Sequence, residues 1–214
     1  MNPLFRRRTI FAAMVLLLSA CSAPQPLLYR PPPPPPDPHT QMVALETRVY
    51  ELIQAERVKA DPAAKPLALD SELVGVARKR AADMAAKNYM NHAAPDGTTS
   101  TTLIMDEDPD FQGMLGENIA AQYYRPQLGV DVDAFARRFV DIWMQSPDHR
   151  KNITLSIYNR SGIGAAVSGD TVYIVQLFAT DLGLPPPPKA TPPEATAPKP
   201  VSDQIPAPAA RPAH

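Results

Sequence analysis

The chain has 214 residues, a formal charge of −1, a sequence pI near 6.4 and a single cysteine. That length holds one domain with appendages, and the charge leaves no basic surface to form a nucleic-acid groove. One cysteine forbids an intramolecular disulfide in any compartment.

The chain opens on an address. Arg6, Arg7 and Arg8 precede the apolar run Ile10 to Leu18, which closes on Leu18-Ser19-Ala20-Cys21. The run is too short to span a bilayer as a mature helix. It resembles the lipobox of bacterial lipoproteins, which implies a signal peptide over residues 1–20, cleavage before Cys21 and lipidation of that cysteine. Ser22 follows where inner-membrane retention would call for Asp. By the same resemblance, the protein is expected in the cell envelope, lipid-anchored to the outer membrane and facing the periplasm. Each buried CH₂ contributes about 0.8 kcal/mol, so several acyl chains on one cysteine hold far better than one. The expectation is a tethered protein, not a spanning one.

Proline sets the next boundaries: 21 of the 27 lie in the first 38 residues or the last 30. Residues 21–40, with Pro31 to Pro36 and Pro38, read as a tether of polyproline II at about 3.1 Å per residue. Residues 185–214 are Pro/Ala-rich with few large apolar side chains, and read as a disordered tail. Between them, residues 41–184 are long enough to bury a core without covalent staples.

Within that domain, Leu45, Val49, Leu52 and Ile53 fall on one face of a helix over 41–57. Asp70 is placed to cap a second helix running to about Asn88, with Leu73, Ala77, Ala81 and Met84 along a stripe. Residues 118–122 read as a strand. A third helix follows Asp131, with Val132, Phe135, Phe139, Ile142 and Trp143 on its buried face. It stops near Gln145, because Pro147 disfavours helical geometry at Ser146. Residues 162–167 and 171–178 are rich in small, β-branched and aromatic groups and pair through the turn Ser168-Gly169-Asp170. The order suggests an α+β domain with helices packed on a small, mostly antiparallel sheet.

The scarce imidazoles stand at element ends: His92 after the second helix and His149 after the third, with Glu117 between them in Gly116-Glu117-Asn118-Ile119-Ala120. Two imidazoles and a carboxylate suit a divalent metal with positions left for water. They suit general acid–base work equally, and they could simply satisfy loop and helix-end hydrogen bonds. Spacing does not choose among these. Gln176, in an alternating strand, is placed in the same cavity beside Glu117.

The segments Tyr89-x-x-His92, Pro95-Asp96-Gly97, Gly116 to Ala120, Trp143 to Ile153, Gly162-x-Gly164 and Val175-Gln176-x-Phe178 occur in one order. Over roughly residues 42–180 that order resembles the bacterial branch of the CAP superfamily, the SCP-like relatives of cysteine-rich secretory, antigen 5 and pathogenesis-related proteins. The resemblance implies a three-layer α-β-α sandwich around a cavity lined by two His and two Glu, which in some members bind zinc or another divalent ion. By position, His92 matches the first His, Glu117 the first Glu and His149 the second His. The second Glu would follow the tryptophan closely, and Trp143-Met144-Gln145-Ser146 offers no carboxylate there. A metal would be held more weakly than by the full set.

Other features read as structural. Ser146 has no nucleophile elbow around it, and the acidic run from Asp106 to Asp110 lacks EF-hand spacing. Gly162 and Gly164 open a strand and admit close backbone packing. The expected function is an envelope-anchored, non-enzymatic domain binding a small, lipid-like or cell-wall ligand such as peptidoglycan. The alternatives are a metal-dependent hydrolase of peptide, ester or cell-wall bonds, and a structural spacer.

Overall fold

Asp37 starts the first helix, α1 (Pro38–Ala60), by accepting the His39 N–H, and Pro38 supplies the fixed φ suited to a first helical position. In this computed structural model, residues 30–180 are described; the expected signal peptide, Cys21 and the 185–214 tail lie outside them. Residues 30–34 carry no regular secondary structure, and the compact unit begins at Pro35. The helix thus begins ahead of Gln41, inside the stretch assigned to the tether.

The remaining elements follow as β1 (Ala68–Leu69), α2 (Ser71–Lys87), α3 (Ser100–Glu107), β2 (Leu115–Tyr123), α4 (Val132–Gln145), α5 (Pro147–Thr154), β3 (Arg160–Ser168) and β4 (Thr171–Ala179). Asp70 caps α2 through Glu72 N and Leu73 N, and Asn88, at φ 52°, ends it in the left-handed region. Asp131 caps α4 through Ala134 N. Pro147 does break α4, but it also opens α5 at the next step. His149 therefore lies just past α4, as the sequence placed it, but in the first turn of a further helix. β1, α3 and α5 were not legible in the hydrophobic pattern.

The sheet runs β1-β3-β4-β2, with β1 and β3 parallel and the other pairs antiparallel. β3 and β4 turn over Gly169, whose φ of +58° favours glycine. On one face lie α1, α4 and α5, where Leu45, Val49, Phe139, Trp143 and Ile153 meet Ile174 and Phe178. On the other lie α2 and α3, where Val76, Ala77, Ala81 and Ile104 meet Ile119, Val175 and Leu177. This is the expected three-layer α-β-α sandwich. Along β2, odd residues therefore face α2 and α3, and even residues face α1, α4 and α5.

Two details fix the layers. A Cβ on Gly162 would come within 2.3 Å of the Leu73–Val74 backbone, and one on Gly164 within 2.1 Å of Arg78 N. Bare glycines therefore let α2 lie directly on β3. On the opposite side Arg57, 2% exposed, donates to the carbonyls of Ile153, Leu155, Lys65 and Tyr158 and ties α1 to the chain around α5. Phe135, Phe139 and Trp143 are buried as expected, but Ile142 is 45% exposed. It falls beside the buried arc, not on it. No helix among the described residues is long and apolar enough to cross a membrane.

Candidate functional site

β2 is an edge strand of the sheet, and Glu117 projects from it on the α2–α3 side. Its carboxylate is 12% exposed and holds two partners. One oxygen lies 2.5 Å from His92 Nδ1, and the other accepts the Ser100 hydroxyl. With Nδ1 facing the carboxylate, Nε2 is left as the ring's second polar atom. That ring is 57% exposed, so Nε2 meets solvent.

The loop that carries His92 is pinned by a buried cation. Arg80 donates to Asn91 O at 2.9 Å, to His92 O at 3.0 Å and to the Tyr89 hydroxyl at 2.8 Å. Tyr89 in turn donates to Asp83 at 2.6 Å. Downstream, Gly97 N closes a turn onto Ala94 O, with Gly97 at φ +88°. Asp96 braces that turn: the Thr98 backbone N–H, followed by its hydroxyl, holds the carboxyl pKa down at about 2. Thr99 then caps α3 in a capping box with Thr102, and Ser100 is the first helical residue. The segment 89–100 is therefore one positioning device, delivering His92 and Ser100 to the two oxygens of Glu117.

His149 approaches the same strand from α5. Asn118 Nδ2 donates to His149 O at 3.2 Å, while Asn152 Nδ2 donates to Asn118 Oδ1 at 2.9 Å and to Glu117 O at 3.2 Å. Trp143 Nε1 donates to Ile119 O at 3.1 Å. Asn152 and Trp143 thus occupy outward carbonyls of the edge strand. The His149 Nδ1 atom is buried without a protein partner. Burial first, and then the nearby His92 ring, pull His149 below the ordinary histidine value, with Asp148 opposing. Its ring is neutral at pH 7 and close enough to His92 for charge on one to disfavour charge on the other. A Cβ on Gly116 would fall 2.6 Å from the Tyr158 hydroxyl, so a larger residue there would push that ring aside.

His92, Glu117 and His149 thus gather about one edge of β2. Gln176 does not join them. It pairs in register with Asn118, while Glu117 pairs with Leu177, so its side chain leaves the sheet on the opposite face from the carboxylate. It is wholly buried and donates to Ser161 Oγ at 3.3 Å. Ser100, Asn118 and Asn152 are the site residues that sequence reasoning missed. For the asparagines the signal was present, since both sit inside the motifs that contain Glu117 and His149.

The donor set does not fit a metal as assembled. Among the described residues, no three His, Cys, Asp or Glu side chains gather within reach of one ion. Both oxygens of Glu117 are engaged, so the carboxylate acts here as the orienting partner of an imidazole. A hollow of about 80 Å³ lies against Ser100, Thr101, Gly116, Glu117 and Leu177. It admits a small polar group and is far below the usual several-hundred-Å³ ligand pocket.

Comparison with known proteins agrees with this architecture. The uncharacterized protein YkwD of Bacillus subtilis is 33% identical over 126 residues, covering 59% of this chain and 44% of that protein. The chain thus spans less than half the length of that curated relative. An extracellular protein of Bacillus anthracis containing an SCP domain is 26% identical, with a TM-score of 0.51 over 70% of this chain and 45% of that one. An outer surface protein of Borrelia burgdorferi shares the fold at 22% identity, with a TM-score of 0.54 over 64% of this chain and 93% of its own. Residues 50–178 match the model of the cysteine-rich secretory protein family, and the chain belongs to that family, CAP.

Proposed function

We propose that the chain is an envelope-anchored binding protein whose cleft at His92, Glu117 and His149 takes the polar end of a cell-wall ligand. One observation carries this reading. His92 is oriented from behind by Glu117 and presents Nε2 to solvent, as a fixed recognition group would. The neutral His149 ring beside it adds a second nitrogen able to donate or accept. The hollow of about 80 Å³ against Ser100 and Glu117, which neither histidine lines, suits a hydroxyl, amide or carboxylate better than an acyl chain. A hydrolytic role lacks comparable support. The Ser100 hydroxyl is given to the carboxylate and not to an imidazole, so the serine–imidazole–acid relay is not formed.

Anchoring rests on Leu18-Ser19-Ala20-Cys21 and predicts that Cys21→Ser moves the protein from the outer-membrane fraction to the soluble one. For the cleft, the test is co-sedimentation of the purified full chain with peptidoglycan sacculi. A His92→Ala/His149→Ala double variant with an unchanged melting temperature is expected to lose most of the bound fraction. Equal sedimentation of variant and wild type would place the contact elsewhere. Failure of the wild type to sediment would refute the cell-wall ligand.

A further inference from the structure

The hollow of about 80 Å³ beside Glu117 has two kinds of wall. Ile104, Leu115 and Leu177 supply apolar surface, and Ile104 and Leu177 are buried. Ser100, Thr101 and Glu117 supply polar surface, with Ser100 only 7% exposed. The space is far below the several hundred Å³ of a whole-ligand pocket, so what enters is one substituent of a larger molecule.

Size admits several such groups, and hydrogen bonding chooses among them. The Ser100 hydroxyl spends its proton on Glu117, so its oxygen is left with lone pairs only. An ionised carboxylate only accepts, and Oε2 of Glu117 has room for a second donor beside Ser100. The pair therefore offers acceptors, which call for an N–H or O–H and repel a second carboxylate. The apolar surface calls for a methyl in the same group. A hydroxyl leaves that surface bare, and an acyl chain leaves the buried acceptors unpaired. An acetamido group answers both, its N–H turned to the acceptors and its methyl to Ile104, Leu115 and Leu177. Thr101, exposed where it lines the hollow, brings a hydroxyl able to donate to the amide carbonyl.

We infer that this hollow recognises the N-acetyl group of an amino sugar, an assignment that rests on the cell-wall reading above. Glu117 joins the two parts of the site, since one of its oxygens meets His92 and the other meets Ser100. Ser100 and Thr101 are then the residues that select an acetylated glycan.

The test is an NMR titration of the purified full chain with triacetylchitotriose. The comparisons are cellotriose, which carries a hydroxyl in place of each acetamido group, and an N-acetylated alanine peptide. Saturable amide shifts at residues 100–104 and 115–117 are expected for the acetylated sugar, with cellotriose at least about tenfold weaker. Ser100→Ala and Thr101→Val should each weaken triacetylchitotriose severalfold. Thr101→Val, at an exposed position, should leave the melting temperature unchanged. Equal affinity for cellotriose, tighter binding of the acetylated peptide, or full affinity in both variants would each overturn the assignment. Sedimentation with sacculi alongside equal affinity for the two trisaccharides would overturn it and leave the cell-wall reading standing. Saturable binding of triacetylchitotriose without sedimentation would support the acetamido assignment and refute the cell-wall ligand.

Discussion

His149 shows how one atom's surroundings set a measurable property. Its folded value lies below the ordinary 6.5, chiefly through burial. Between those two values the unfolded chain binds more protons than the folded one, so stability rises with pH through that window and falls on acidification. His149→Gln is expected to flatten the dependence of the urea midpoint on pH below about 6.5, leaving the neutral-pH midpoint nearly unchanged. At this scale the sequence was only partly legible. His92, Glu117 and His149 were singled out because imidazoles are scarce and the motifs are ordered. Ser100 was hidden because serines are common and its meaning depends on where α3 begins. Gln176 was misplaced because side-chain parity needs the β2–β4 register, and a shift of one residue exchanges the faces.

Among the elements, α2 and β3 are the most tightly specified pair. A Cβ on Gly164 would meet main-chain atoms of Ala77 and Arg78, which cannot swing aside as a side-chain tip could. Gly164→Ala should therefore displace the helix and cost about 1–3 kcal/mol, a fall of several degrees in melting temperature. Gly75, within the same helix, has nothing within 4 Å of its would-be Cβ. Gly75→Ala should raise the melting temperature through up to about 1 kcal/mol of helix propensity. Scanning calorimetry of the two variants checks both signs. Long amphipathic stretches were readable, as was the cap at Asp70, because burial writes a period and capping needs a short oxygen acceptor. The short helices were not. α3 is eight residues of mixed polarity, and α5 begins on the same proline that was read as a stop. A proline ends one helix and starts the next with equal ease.

For the molecule as a whole, cohesion comes without sulfur: the one cysteine, Cys21, precedes the domain. Arg57 takes over part of that task, binding four carbonyls drawn from residues 65 to 158 while remaining only 2% exposed. Burial lowers its affinity for protons, yet a guanidinium keeps its charge inside proteins. Arg57→Lys preserves the charge but not the fork of donors. It should cost about 1.5–3 kcal/mol, the worth of one charged hydrogen bond, read as a lower urea midpoint with an unchanged slope. The α+β class was legible because a helix–helix–strand order with a closing hairpin leaves few ways to cover a small sheet, while the three layers were expected from the ordered motifs and the resemblance they carry. The edge position of β2, which decides where the site opens, came only with the pairing.

The way Glu117 is held has one more consequence. His92 and Ser100, its two partners, are the ends of a single nine-residue run closed by the Ala94–Gly97 turn. A main-chain movement that lifted the whole run would draw both partners off the carboxylate together and bare a negative charge at the rim of the sheet.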